Sequence, residues 1–536
     1  MPQFELSTID LTIVIAYLVF IVVLGLRFTK KNESAEDYFL GGRVFTWPLI
    51  GLSLYASNMS SASLIGMAGS AYATGISVYN YEWMAAVVLV FFAIFFLPYY
   101  LKSQVYTMPE FLERRYDSRA RYIFSSVTLI GTIIIDTAGS LYAGALVVKL
   151  IFPQIPMWQS ITTIALFSGL YTIAGGLAAV VYTDSIQAIL LTIGAIMISV
   201  IAFMKVGSWE AVTAVTPPEM LSVIQPLSDS FLPWLGLLTG VPLLGFYFWC
   251  NNQFMVQRVL GAKDVNHGRW GALFAGLLKL PIIFIMVLPG TMARVLYPAA
   301  ENPAIQNNPD LVFPTLMFDL LPVGVLGIVA AGLIAAIMSS IDSTLNSAST
   351  LVTMDFFKKL RPRTTSSQLT WAGRIFTGIF MILAAAWAPN IEKFPSLWQY
   401  LQTVLGYIAP PIVACFLMGL FWKRANAHGA FAALIVGFAV GILDVGLRVA
   451  GVSVWFVEIH FLYLATLRLI ICLATLYIVS LLTAPPAEEK VKAYIWTKEV
   501  FRSETQELSH VPWFKNYRVQ SLILLALTAI FVSVFW

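Results

Sequence analysis

Two stretches of this 536-residue chain place oxygen-bearing side chains inside runs that are otherwise apolar. The first reads Gly51-Leu-Ser-Leu-Tyr-Ala-Ser-Asn-Met-Ser-Ser-Ala-Ser63, and six of the eleven residues from Ser53 to Ser63 are Ser or Asn. Such side chains offer the backbone alternative hydrogen bonds and favour a helix interruption. Carbonyls freed by an interruption in a membrane can bind a bare cation. A tight Ser/Ala/Gly seam between two helices accounts for the same residues. The second stretch, Ala335-Ala-Ile-Met-Ser-Ser-Ile-Asp-Ser-Thr344, puts Ser339 and Ser343 on one helical face at i, i+4, with Asp342 at i+3 from Ser339. Hydroxyls, a carboxylate and free carbonyls suit a hard cation and not a soft metal. Serines bonding back onto their own helix are the alternative.

Four further charges sit in apolar surroundings: Glu82, Asp136, Asp184 and Lys279. Carboxylates, amides and a lysine beside Trp and Tyr suit a polyhydroxylated solute, whose hydroxyls both donate and accept and whose C–H faces pack on rings. Structural ion pairs, for instance Lys279 with Glu82, are the competing account. A charge at the bilayer centre costs about 2.5–3.5 kcal/mol on the insertion scale, so it faces a partner or a wet cavity.

The elements that must hold these residues follow from composition. The chain is 59% apolar and 11% charged, against about 45–50% and about 25% for a soluble domain. A soluble enzyme and a β-barrel are excluded, and an all-α polytopic membrane protein is expected. Three scattered cysteines and four histidines give neither a disulfide framework nor a zinc site. We read 14 transmembrane helices at about 9–27, 46–71, 78–101, 121–151, 158–174, 180–205, 231–252, 269–294, 317–354, 367–388, 396–422, 428–448, 457–482 and 519–536. With the N-terminus outside, the inner connections hold 24 of the 32 Lys and Arg and the outer connections 5, as the positive-inside rule requires. Both termini are then outside, in the plasma (inner) membrane.

Spans two to six and seven to eleven are two sets of five, which an odd count makes inverted. The segments are an extra helix and loop (1–45), a first five-helix repeat (46–205), an extracellular loop (206–230), a second repeat (231–422) and C-terminal helices (423–536) with a mixed-charge cytoplasmic linker at 483–518. The basic clusters sit where topology demands charge, so no nucleic-acid partner is expected. No nucleotide-binding motif is present, and no nucleophile–base pair indicates an enzyme.

Several motifs in order resemble the sodium:solute symporter family, in its sodium/sugar branch. They include Ala35-Glu-Asp-Tyr-Phe-Leu-Gly-Gly42, Tyr106-Thr-Met-Pro-Glu-Phe111, Gly175-Gly-Leu-Ala-Ala-Val-Val-Tyr-Thr-Asp-Ser-Ile-Gln187, Val256-Gln-Arg258, Asn346-Ser-Ala-Ser-Thr350 and Gly419-Leu-Phe-Trp-Lys423. The resemblance implies a LeuT-like 5+5 inverted-repeat core and sodium as the co-transported ion. It implies a sodium site of backbone oxygens from Ala56, Met59 and Ala336 with the hydroxyls of Ser339 and Ser340. A second sodium would use Asp184, Asp342 and Ser343. Sugar contacts would be Asn58, Glu82, Lys279 and Gln402, with Met67, Tyr81, Trp249 and Trp398 as walls. Ser63 stands at a sugar-contact position where relatives carry Gln or His, Gly245 where they carry Asn or Thr, and Phe248 at the Tyr of an aromatic gate. Asp136 occupies a place that is uncharged or basic in relatives.

The expected function is sodium-coupled symport of a glucose- or galactose-like hexose across the lipid bilayer by alternating access. A sodium- or proton-coupled symporter of another small solute, such as an amino acid or an osmolyte, is the alternative.

Overall fold

The structure, a computed structural model, describes residues 6–27, 34–152, 154–393, 397–452 and 458–536. Among the described residues there are helices and loops, with two isolated β-bridges and no strand. A long apolar segment in lipid must satisfy its backbone polar groups internally, which a helix does. The surface pattern agrees: Ile186, Ile189, Ile193, Ile196, Val200 and Phe203 are exposed at helical spacing down one face of Gly176–Val206. The polar residues of the same segment, Thr183, Asp184 and Gln187, are buried. This is an inside-out amphipathic helix, apolar toward lipid and polar toward its neighbours.

Nine helices among the described residues are long and apolar enough to cross a membrane, and a tenth results when Val265–Lys279 and Ile283–Leu296, bent by 42°, are taken as one span. The bend falls at Pro281, which lacks the N–H that a continuous helix needs.

Two expected boundaries shift. The ninth span does not begin near 317: a separate helix Val312–Leu320 ends there, and the serine-bearing helix runs Val325–Leu351. Pro322 and a positive φ of 86° at Gly324 make the break. The fifth and sixth spans meet without a loop in one helical run, Met157–Val206, cornered at Gly176 (φ 62°, ψ −163°). A Cβ there would lie 2.6 Å from the Tyr38 carbonyl oxygen, so only glycine lets the corner seat against residues 35–40.

The first helix, Thr8–Arg27, is tied to the serine helix at its start. Asp10 accepts from the amides of Gly324 and Gly327 at 2.8 and 2.7 Å, capping a helix N-terminus with a negative charge. The expected linker at 483–518 contains two short helices, Glu488–Tyr494 and Lys498–Leu508. It is docked: Glu504 pairs with Arg269 at 2.6 Å and Arg518 at 2.9 Å.

The second expected span is broken. Its halves are Trp47–Asn58 and Ser61–Thr74, with Met59 at a non-helical ψ of 55° and Ser60 capping the second half through Ser63 N–H. The helix interruption therefore holds over the continuous-seam reading. The serine helix Val325–Leu351 packs against both halves, which brings the two oxygen-rich stretches together.

Candidate functional site

A cavity opens beside the break. Its wall includes Asn58 and Ser63 from the broken pair, Tyr81 and Glu82 at the start of Asn80–Phe91, and Gln402 on Leu397–Phe421. Phe248 and Trp249 border it from a π-turn at Tyr247–Asn251, and Asp136 from a second π-turn at Thr132–Thr137. Each π-turn inserts an extra residue and re-aims the side chains it carries, a device common at functional sites. Ser340 and Thr344 of the serine helix complete the polar wall.

Eight of the expected contacts thus share one cavity: Asn58, Ser63, Tyr81, Glu82, Trp249, Gln402, Phe248 and Ser340. Met67 is fully buried and does not border it. The Trp398 side chain lies outside the described residues. Gly245 borders the cavity, where an added Cβ would meet Val88 at 3.3 Å.

Lys279 ends the helix before the Pro281 bend and is fully buried. Its ammonium donates to Glu82 Oε2 at 2.6 Å and to Asn58 Oδ1. It also lies 5.7 Å from the Trp249 ring centroid and 5.6 Å from that of Tyr55. The ion pair foreseen as a structural alternative exists, and it exists at the cavity wall. The two readings do not exclude each other. Paired Glu82 keeps acceptor capacity for a hydroxyl, since an ionised carboxylate has about four lone-pair sites.

A second buried pair lies between the broken helix and the serine helix. Arg258, on Gln253–Leu260, meets Asp184 at 3.0 Å and donates to Ser53 Oγ at 2.7 Å and to Ser343 Oγ. Asp184 also accepts from Ser53 at 2.6 Å, Ser57 at 3.3 Å and Ser339 at 2.5 Å. Asp342 is directed elsewhere, to Thr172 Oγ1 at 2.7 Å. Of the residues expected at a second sodium, Asp184 and Ser343 share the Arg258 guanidinium, while Asp342 faces Thr172. Arg258 belongs to a motif visible in the sequence, Val256-Gln-Arg258, but nothing in its spacing placed it against Asp184. Thr172 carried no sequence signal.

Of the residues expected at the first sodium, Ala336, Ser339 and Ser340 lie on the serine helix, and Ala56 and Met59 lie at the end of Trp47–Asn58 and its break. The break leaves the last carbonyls of Trp47–Asn58 without intrahelical partners, as at any helix C-terminus. Ser340 donates to the Ala336 carbonyl at 2.9 Å, and Ser339 to Asp184. A hydroxyl that donates its proton retains two lone pairs, so both can still accept a cation. The back-bonding alternative therefore holds for Ser340, and also for Ser343 and Thr344, which donate to carbonyls of their own helix.

The model of the sodium:solute symporter family matches residues 38–437. Sodium/glucose cotransporter 4 of Danio rerio is 35% identical, over 96% of this chain and 84% of that protein. Sodium/myo-inositol cotransporter 2 of Homo sapiens is also 35% identical, over 92% of this chain and 80% of its own length. Among solved structures, a Na+-coupled sialic acid symporter in a substrate-bound outward-open state superposes with a TM-score of 0.77 at 24% identity, covering 90% of this chain and 99% of that one. It shares the fold. The chain belongs to the sodium:solute symporter family.

Proposed function

We propose that this sodium-coupled symporter carries a monosaccharide, a glucose- or galactose-like hexose or a cyclic polyol, by alternating access. One observation carries the reading. Asn58, Glu82 and Gln402, with the Trp249 ring, border one cavity that Lys279 braces from behind. The mixture of donors, acceptors and a ring suits vicinal hydroxyls. The relatives named for glucose and myo-inositol support the same class. Paired Glu82 and Lys279 bring no net positive charge, which disfavours a carboxylate solute.

Sodium enters at the helix break, held by carbonyls of Ala56, Met59 and Ala336 and by Ser339 and Ser340. Because these ligands come from the broken pair and the serine helix, the ion favours the arrangement that keeps those helices together. An ion that bound both conformations equally would shift nothing. Sugar then binds at the cavity, the bundle rocks around it, and release follows past Phe248. A second sodium at Asp184, Asp342 and Ser343 requires the Arg258 guanidinium to withdraw from two of those groups. At about 100 mV each charge gains about 2.3 kcal/mol, and a tenfold gradient about 1.4 more. One sodium then supports a sugar gradient of roughly 500-fold, and two roughly 10⁵-fold.

Fourteen crossings in two inverted sets of five, both termini outside, and residence in the plasma membrane are parts of the same proposal. The loop charge and the helices at the expected spans support them.

The test is uptake of radiolabelled hexoses and polyols into proteoliposomes with inward sodium or matched potassium. Accumulation of a hexose or cyclic polyol with sodium alone is expected. Sodium-stimulated flux of an amino acid, with no sugar moved, would replace the substrate and keep the coupling ion. Flux that follows a pH gradient and ignores sodium would contradict the ion.

A further inference from the structure

Charge accounting around the cavity leaves one side chain unmatched. Glu82 is matched by Lys279 at 2.6 Å and Asp184 by Arg258 at 3.0 Å. Asp136 borders the same cavity as Asn58, Glu82 and Gln402. No cation or hydrogen-bond donor among the described residues is paired with its carboxylate. The titratable neighbours that feel its charge are the phenols of Tyr247 and Tyr400. Neither is a cation, and the Tyr400 hydroxyl lies 3.4 Å from the Ile134 carbonyl, to which it donates.

The surroundings offer no internal remedy. Ile135, Leu244, Leu405 and Phe248 border this cavity with it. The hydroxyl of Ser140 is spent on the backbone carbonyl of Asp136 itself at 2.9 Å. Asp136 is half-buried at the cavity wall, where water alone meets its charge until a ligand displaces that water, and a carboxylate desolvated without a partner is costly.

We propose that Asp136 is a specificity-determining residue that favours a sugar or polyol bearing a protonated amine, whose ammonium group pairs with the carboxylate. The proposal rests on reading the cavity as a sugar site. A neutral hydroxyl would give Asp136 a hydrogen bond but leave its charge uncompensated. An ammonium group gives a charge-assisted bond and neutralises it. A bare sodium ion would need several oxygens arranged around it, and Ile135, Leu244, Leu405 and Phe248 supply none. An ammonium group carries three donors, of which the Asp136 carboxylate takes the charge-assisted one and water or the cavity's hydroxyls can take the others.

The experiment measures sodium-driven transport of radiolabelled glucosamine, glucose and N-acetylglucosamine by the full chain in proteoliposomes. In the natural protein, glucosamine half-saturates at a concentration at least tenfold below glucose. Each glucosamine carries one more elementary charge than each glucose. N-acetylglucosamine, which has lost the cation, gains no such advantage. In Asp136→Asn the ratio of the two half-saturation concentrations falls to within twofold, and in Asp136→Glu the preference persists. Equal half-saturation in the natural protein, or a preference that survives Asp136→Asn, overturns the role of Asp136 while leaving the sugar reading intact. Absence of sodium-driven transport for all three sugars overturns both. Should Asp136→Asn fail to insert, the natural protein's ratio and its charge per sugar decide alone.

Discussion

Two of the buried ion pairs of this protein, Arg258–Asp184 and Lys279–Glu82, use similar chemistry to opposite ends. Arg258 and Asp184 are surrounded by protein hydroxyls, with Ser53, Ser57, Ser339 and Ser343 all bonded into the pair. Lys279 and Glu82 are joined by one amide, Asn58, and of these Glu82 and Asn58 border a cavity. The first pair is saturated by its own chain, while the second keeps acceptor positions open. The difference teaches where to look for a ligand: at the charge pair the protein leaves incompletely satisfied, more than at the most heavily bonded one. A sealed pair fixes helices against each other, and here it fastens Gln253–Leu260 to the broken pair and to Met157–Val206.

That contrast is breakable. Arg258→Ala leaves Asp184 buried without its cation, a loss of about 3–5 kcal/mol for a sealed pair. A large fall in the melting temperature of the purified protein is the expected outcome, and Asp184→Asn in the same background should recover part of it. A melting temperature unchanged by Arg258→Ala would mean that the pair is not sealed.

Asp342→Ala removes one proposed sodium ligand without touching the Arg258 cluster. The sodium:sugar ratio should fall, and the limiting accumulation should drop by about 3.7 kcal/mol, roughly 500-fold. An unchanged ratio would remove Asp342 from the ion site and leave its bond from Thr172 as a structural one. Lys279→Ala opens the other pair. We expect a loss of sugar affinity of roughly 100-fold, about 2.7 kcal/mol, with a smaller stability cost than at Arg258, because water in the cavity can solvate Glu82. A stability loss equal to that of Arg258→Ala would erase the distinction between the two pairs.

Much of this was legible in the sequence, because lipid leaves the chain few options. Polar residues inside apolar runs had to find partners or a wet cavity: Ser53, Ser57, Ser63, Glu82, Asp184, Lys279, Ser339 and Asp342 found partners, and Asp136 borders the cavity. The break at Met59 follows from clustered Ser and Asn. The pairing of Lys279 with Glu82 was one of two readings, and composition could not choose between a structural pair and a binding wall. Other features were not legible. Arg258 reaches Asp184 across the fold, a contact that no local spacing encodes. The π-turns that set Asp136 and Phe248 depend on one extra residue per helix, which leaves the apolar pattern unchanged. The start of the serine helix was misplaced because Val312–Leu320 is as apolar as a span, and only Pro322 and Gly324 mark the stop.

The central claim is that sodium and sugar occupy separate places held by one broken helix. The proposal assigns Ser340 to the ion and Gln402 to the sugar, and both border the cavity. The most direct measurement titrates sodium and sugar independently for Ser340→Ala and Gln402→Ala in proteoliposomes. The account predicts that Ser340→Ala raises half-saturating sodium up to tenfold, about 1.4 kcal/mol, with sugar affinity at saturating sodium little changed. Gln402→Ala should raise half-saturating sugar several-fold, the loss of one hydrogen bond of about 0.5–1.5 kcal/mol, and leave intrinsic sodium binding in place. Equal shifts of the sodium dependence in both variants would contradict it.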